Sequence, residues 1–243
     1  VPSYQAMADG EVDAVLEDWG YPDQFNQYVT RQKTVVNAGP NGLLGHIGWF
    51  IPGYLLKKYP AFKTWRGLKG REAIFKSPGS GSQGMFLGGD PSFQQKDKEL
   101  IEALDLDFKH VSAGGYATQV ARVSQMIKQR KPVIMYWWTP EYLNAQLKLV
   151  EVQLPKRFKN CVDDEKLKGN HACEYPSYGL DKLVSGEFSK SGSPALRVIR
   201  KFRWTSDDQN FVANLISGKK MSKDKAAAAW VAKNGATVNA WLK

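Results

Sequence analysis

Three short segments carry residue types able to recognise a small molecule. Glu17-Asp18-Trp19 ends the apolar run 12–16 (VDAVL), with Pro22 just beyond it. Ser77-Pro78-Gly79-Ser80-Gly81-Ser82 is a run of small residues that leaves backbone amides uncovered. Trp137-Trp138-Thr139-Pro140-Glu141-Tyr142 completes the continuous apolar run that begins at Val133. An indole face is electron-rich and attracts a cation without needing a hydrogen bond from it. That suits a methylated ammonium, which has no N–H to donate. Uncovered amides in a Gly/Ser loop suit an anion. A tryptophan cage beside an amide nest is what a betaine requires.

Other chemistries find less support. Residues 79–84 match G-x-G-x-x-G, but Pro78 precedes them and Gly88-Gly89-Asp90-Pro91 interrupts any helix that could follow. No acidic residue stands at a strand end about 20 residues on, so no nucleotide cofactor is assigned; an ordinary tight turn is the plain alternative. The three histidines, His46, His110 and His171, lie in no nucleophile motif, and G-x-S-x-G is absent, so no catalytic residue is named. Glu17, Asp18 and Glu141 beside tryptophan leave one enzymatic alternative, a carbohydrate-active enzyme using a carboxylate pair. Cys161 and Cys173 enclose a polar segment whose one histidine has no CxxC or HxxxH companion, so no metal is expected. A small disulfide-closed loop in an oxidising compartment is the adopted reading, with two free thiols in a cytosolic protein as the alternative.

These residues need elements to hold them. Strands are expected at 12–16, from 35, at 73–75, 108–111, 133–138 and 147–154. Turns are expected through the glycines of 39–48, and helices at 4–8, 23–31, 96–104, 116–129, 193–201, 206–217 and 223–241. Alternating strands and helices argue an α/β fold with mostly parallel sheets, whose ligands bind at strand C-terminal ends. The chain has 243 residues, 42% of them hydrophobic, so it can bury a sizeable core. Its net charge is +10, but the basic tracts 128–131, 200–203 and 219–225 read as solvated helix faces. No nucleic-acid motif accompanies them, and no nucleic-acid partner is expected. No apolar run reaches the ~18 residues of a membrane span.

In these segments the chain resembles the glycine betaine, proline betaine and choline solute-binding proteins of ABC importers. The resemblance rests on Gly10-Glu11-Val12-Asp13 through Trp19-Gly20-Tyr21-Pro22, on Ile51-Pro52-Gly53-Tyr54 and on Pro78-Gly79-Ser80-Gly81. Trp138-Thr139-Pro140, Ala228-Ala229-Trp230 and residues 238–242 complete it, covering nearly the whole chain in order.

The resemblance implies a two-lobe, type II-like periplasmic-binding-protein fold with a hinge. Its first lobe would comprise 1–46 and 155–243, its second 47–154. It implies an extracytoplasmic location, at the periplasm or the outer face of the membrane, no reaction and no cofactor. It also implies a quaternary-ammonium ligand and an ABC permease as partner. Trp19 and Trp138 are then expected to line one pocket, with Ser80, Gly81 and Ser82 as the amide loop. Cys161 and Cys173 are expected to be bonded.

Three departures from the family pattern matter. Relatives begin with a further strand, helix and strand, so the first lobe is expected to be completed by another chain, by exchange with a second copy, or by an N-terminal segment outside this sequence, one that could also carry a lipid anchor. Some relatives place a tryptophan in the glycine loop where this chain has Ser80, so Trp49, Trp137 and Tyr54 become candidates for the cage. Some place a histidine where this chain has Glu141, which would repel a ligand carboxylate and favours choline or another methylated amine.

Overall fold

The computed structural model describes residues 2–163 and 166–243. The chain divides into two compact units, Val1–Gly45 with Ser177–Lys243, and His46–Pro176.

The second unit is built on β2 (Val35–Pro52, from His46 on), β3 (Gly84–Gly88), β4 (Phe108–Ser112), β5 (Ile134–Thr139) and β6 (Leu149–Val152). Its strand order is β2-β5-β3-β4, with β6 on the other side of β2. β3 runs parallel to both β4 and β5, with Phe86 opposite Ile134 and Leu87 opposite Met135. β5 and β6 both run antiparallel to β2. The α/β reading holds, but the sheet is mixed, because parallel pairing is confined to the three strands joined by helical crossovers.

The apolar run of β5 is buried on both faces, as a central strand should be. Helix Tyr116–Lys128 lays Val120, Val123, Met126 and Ile127 on that core, against Met85, Leu87, Val133, Met135 and Trp137. Each fully buried side chain of this kind contributes about 1.5–3 kcal/mol. Gln119, on the same helix face, is buried and donates its amide to the Tyr136 carbonyl, 2.7 Å away.

In the first unit β1 (Ala14–Asp18) pairs antiparallel with β7 (Ser177–Ser185), and the order is β1-β7-β2. Among the described residues β1 therefore has one strand neighbour. Tyr4 and Met7 of helix Pro2–Ala8 form the core with Val35 and Leu183. Lys182 is fully buried, and its ammonium donates to the carbonyls of Arg200 (3.0 Å) and Phe202 (2.8 Å). It thereby satisfies carbonyls that helix Pro194–Lys201 leaves open at its C-terminal end.

Two expectations about elements are corrected. The glycines of 39–48 do not break the chain; β2 runs through them for 18 residues. Gly39 and Gly42 take φ of +86° and +98°, and the Asn41 side chain donates to the Leu16 carbonyl while accepting from the Leu43 amide. The glycines thus become irregularities inside a strand. Residues 73–75 are not a strand but part of the 3₁₀ turn Glu72–Phe75. The strand is β3, whose GMFLG sequence is flanked by glycines that disguise it.

Candidate functional site

The three parallel strands of the second unit end together, so the loops after β3, β4 and β5 emerge along one edge. The loop after β5 begins with Trp138, which is half-buried. Its indole stacks on Trp137 with ring centroids 4.9 Å apart. Phe93, from the loop after β3, meets Trp138 edge-on at 5.6 Å. Tyr116, which opens the helix after β4, lies 5.6 Å from Trp138 and is 36% exposed. Tyr136 backs the group at 6.1 Å from Trp138. Such centroid separations are those of favourable aromatic pairs.

Two carboxylates border these rings. Asp90 accepts from the Ser92 amide (2.9 Å) and hydroxyl (2.8 Å). Those bonds, helped by the Tyr116 backbone N–H, hold its carboxyl below the usual carboxylate range. Glu141 accepts from the Tyr116 hydroxyl and from the Leu143 amide, both at 3.3 Å. Burial, and then the Glu141 charge, push the Tyr116 phenol well above its ordinary value. At this edge Tyr116 is therefore a neutral hydrogen-bond donor and both acids are acceptors.

Sequence reading singled out Trp138 and Glu141 but not Phe93, Tyr116 and Asp90, which the fold brings to the same edge. The signal was present as Gly88-Gly89-Asp90-Pro91 and Gly114-Gly115-Tyr116. These are loop sequences following strands, the first hidden because β3 itself went unrecognised.

The other predicted contacts are placed elsewhere. Trp49 and Trp137 are completely buried. Trp49 donates its indole N–H to Asp97 at 2.7 Å and Trp137 to Asn144 at 2.7 Å, so both indoles belong to the core. Tyr54 donates its hydroxyl to the Lys131 carbonyl, under the Arg130 guanidinium, beside the start of β5 and not its end. Ser80, Gly81 and Ser82 precede β3, at the edge opposite Trp138. The turn also uses its own amides, since Ser80 N–H bonds Ser77 O and Gln83 N–H bonds Ser80 O. The loop therefore lies at the start of a strand and not at a strand C-terminal end.

In the first unit Trp19 directly follows β1 and is half-buried. It donates its indole N–H to Glu17 at 2.8 Å and lies 5.7 Å from the Tyr178 ring. Gly45 makes room for it, because a Cβ there would sit 2.5 Å from the indole. Glu17 also accepts from Gln209, and Asp18 accepts from Tyr4 and the Gly20 amide. Burial raises both carboxyls, and these bonds hold Trp19 and the strand end in place. Cys161 and Cys173 form the expected disulfide, with Cα atoms 6.3 Å apart. Beside it the buried Lys96 ammonium pairs with Asp163 at 2.7 Å.

Over residues 1–233 the sequence matches the family described as the substrate-binding domain of the ABC-type glycine betaine transport system. A trimethylamine N-oxide-binding protein of Pelagibacter ubique (strain HTCC1062) is 25% identical over 180 residues, 72% of this chain. The match takes in 56% of that relative's length, so the chain spans little more than half of it. Lactococcal OpuAC, closed on glycine betaine, superposes with a TM-score of 0.70 at 20% identity, covering 100% of this chain and 84% of that one. A choline-binding protein of an ABC transporter, in complex with choline, gives 0.68 at 15% identity, covering 99% and 78%. These likenesses establish the periplasmic-binding-protein fold, and neither the family nor these neighbours are enzymes. The chain belongs to the family of substrate-binding domains of ABC-type glycine betaine transport systems.

Proposed function

We propose that this protein captures a small quaternary-ammonium or methylated-amine solute, of the glycine betaine and choline kind, outside the cytoplasm and delivers it to an ABC permease. The observation that carries this reading is the partly exposed group of Trp138, Tyr116 and Phe93 at the C-terminal edge of the parallel strands. The protein's own cations lie over Tyr54, Tyr59, Trp65, Tyr175 and Phe211. Among the described residues none lies over these three rings; Trp138, with one face stacked on Trp137, is only half-buried, and Tyr116 is 36% exposed. Each cation–π contact supplies ~0.5–2 kcal/mol, more when water is excluded. Several, added to burial of the methyl groups, support a micromolar complex, which requires about 8 kcal/mol.

Trp19, half-buried after β1, is proposed as an aromatic contact within the first unit. Binding of the solute would then favour the form a permease recognises. No described helix is long and apolar enough to cross a membrane, so the permease must provide the passage. Delivery of such solutes serves osmoprotection or nutrient uptake.

Titration calorimetry with choline, glycine betaine, carnitine and trimethylamine N-oxide tests the reading. At least one should bind at micromolar concentration, and Trp138→Ala should weaken it tenfold or more, ~1.4 kcal/mol, with the fold intact by circular dichroism. Absence of binding to all four would overturn it.

A further inference from the structure

The disulfide of the second unit has cations against its sulfurs. Cys173 is completely buried, whereas Cys161 is only half-buried. The Lys96 side chain is also completely buried, and its ammonium lies 3.3 Å from Cys173 Sγ and 3.8 Å from Cys161 Sγ. The Arg157 guanidinium approaches Cys173 Sγ at 3.9 Å. Asp163 is shared by the two cations, 2.7 Å from Lys96 Nζ and 2.7 Å from Arg157 Nη2. The carbonyls of Val162 and Glu174 each lie 3.5 Å from the ammonium, while the Glu174 carboxylate turns to Lys156. Asp97 and Tyr175, packed beside Lys96, are hydrogen-bonded to each other. Burial draws the Lys96 ammonium below its ordinary value, and Asp163 offsets only part of that. Cys161, Asp163 and Cys173 bring three ligand-type atoms within 4.8 Å of one another. An ammonium against both sulfurs repels a metal ion there and favours a thiolate.

We infer that this disulfide is a thiol–disulfide exchange site, at which an external dithiol attacks Cys161 and Cys173 leaves as a thiolate held by Lys96 and Arg157. The inference is independent of the solute proposed above. Its direction follows from the asymmetry of the pair, since the half-buried sulfur is the one a thiol reaches and the buried one has both cations beside it. Neighbouring lysine and arginine lower a thiol's pKa, and exchange is faster when the leaving thiol has a low pKa. In the first step the dithiol's thiolate bonds to Cys161 Sγ, the Cys161–Cys173 bond breaks, and its electron pair goes to Cys173. In the second step the other thiol of the dithiol displaces Cys161 from the mixed disulfide. The dithiol departs oxidised to its own disulfide and the protein has gained two electrons. Of the dithiol's two protons, one ends on Cys161 and one passes to water. Reduction thus replaces a covalent link by an ion pair between Cys173 and Lys96.

The test is reduction of the folded, full chain by dithiothreitol at neutral pH, with free thiols counted over time, in wild type, Lys96→Met and Arg157→Gln. Arg157 is nearer the surface, so Arg157→Gln serves if Lys96→Met misfolds. Lys96→Met should slow reduction by about tenfold and Arg157→Gln by less, because thiol pKa sets exchange rates on that scale. Glutathione trapped as a mixed disulfide should be found on Cys161. Thiolate absorbance of the reduced chain, with Cys173→Ser as the blank, should show Cys173 ionised at neutral pH, and Lys96→Met should lose that signal. Equal reduction rates in all three proteins, glutathione on Cys173, or a Cys173 that titrates like an ordinary cysteine near ~8.5 would overturn the inference. Each of those results would leave the proposed function standing, since none of these measurements involves the solute.

Discussion

Asp97 is the group whose titration the fold should report most clearly. It is fully buried in the second unit, where one carboxylate oxygen accepts from Trp49 (2.7 Å) and Tyr175 (2.9 Å). The other oxygen is buried with no hydrogen-bond partner. The adjacent Lys96 turns its ammonium to Asp163 instead, and Glu99 adds a like charge. Burial therefore pushes the Asp97 carboxyl up to about 7. Between an unfolded value near 4 and this folded value, the native state holds a proton that the unfolded chain has lost. Stability is then complete below the unfolded pKa and falls as pH rises through the folded one, at up to ~1.4 kcal/mol per pH unit. Over about three units the loss is on the order of 4 kcal/mol. Asp97→Asn cannot ionise, and it places an NH₂ where the unpartnered oxygen was, at a cost of about 1–3 kcal/mol. Urea unfolding across the range should show the variant less stable than wild type under acid conditions, and equal or more stable above neutrality. Parallel stability–pH curves for the two proteins would refute the reasoning, because the slope would then belong to other groups.

Replacing Cys161 and Cys173 together by serine should lower unfolding free energy by about 3 kcal/mol, the entropy of closing a short loop, measured against reduced wild type as control. Lys182→Met removes a buried donor from the Arg200 and Phe202 carbonyls and should cost about 1–3 kcal/mol; thermal melts unchanged within a degree or two would contradict that role. Gly45→Ala should displace Trp19 and shift its fluorescence, while Gly235→Ala, with nothing near its Cβ, should not.

Continuous chemistry was legible in the sequence, and interrupted chemistry was not. β5 could be read because six consecutive bulky residues admit one interpretation, a strand buried on both faces. Trp138 and Glu141 followed from its end. β3 has the same burial, but its five residues start and finish on glycine, and Gly88 is needed because a Cβ there would run into the His110 ring. Glycine reads as turn when its reason lies in a distant side chain. The same ambiguity turned β2 into a series of turns. It also put the Ser77–Ser82 segment after a strand, when it precedes β3. Trp49 and Trp137 were taken for cage walls because sequence cannot tell an indole facing solvent from one facing a buried Asp97 or Asn144.

The acidic border of the aromatic edge has a further consequence in a chain of net charge +10. Such a surplus, summed over the whole molecule, repels a cationic solute at a distance. The repulsion acts through water, where charges decay over ~8 Å at physiological ionic strength. Glu141 accepts from the Tyr116 hydroxyl and Asp90 from the Tyr116 backbone N–H, so both acids lie beside one of the rings, at a range where screening is weaker. Global and local charge therefore operate on different steps. The surplus slows approach at low salt and vanishes at physiological salt, while the acids govern retention under both conditions. If the proposed cation binds at this edge, local acids and not the sum of all charges would govern its retention.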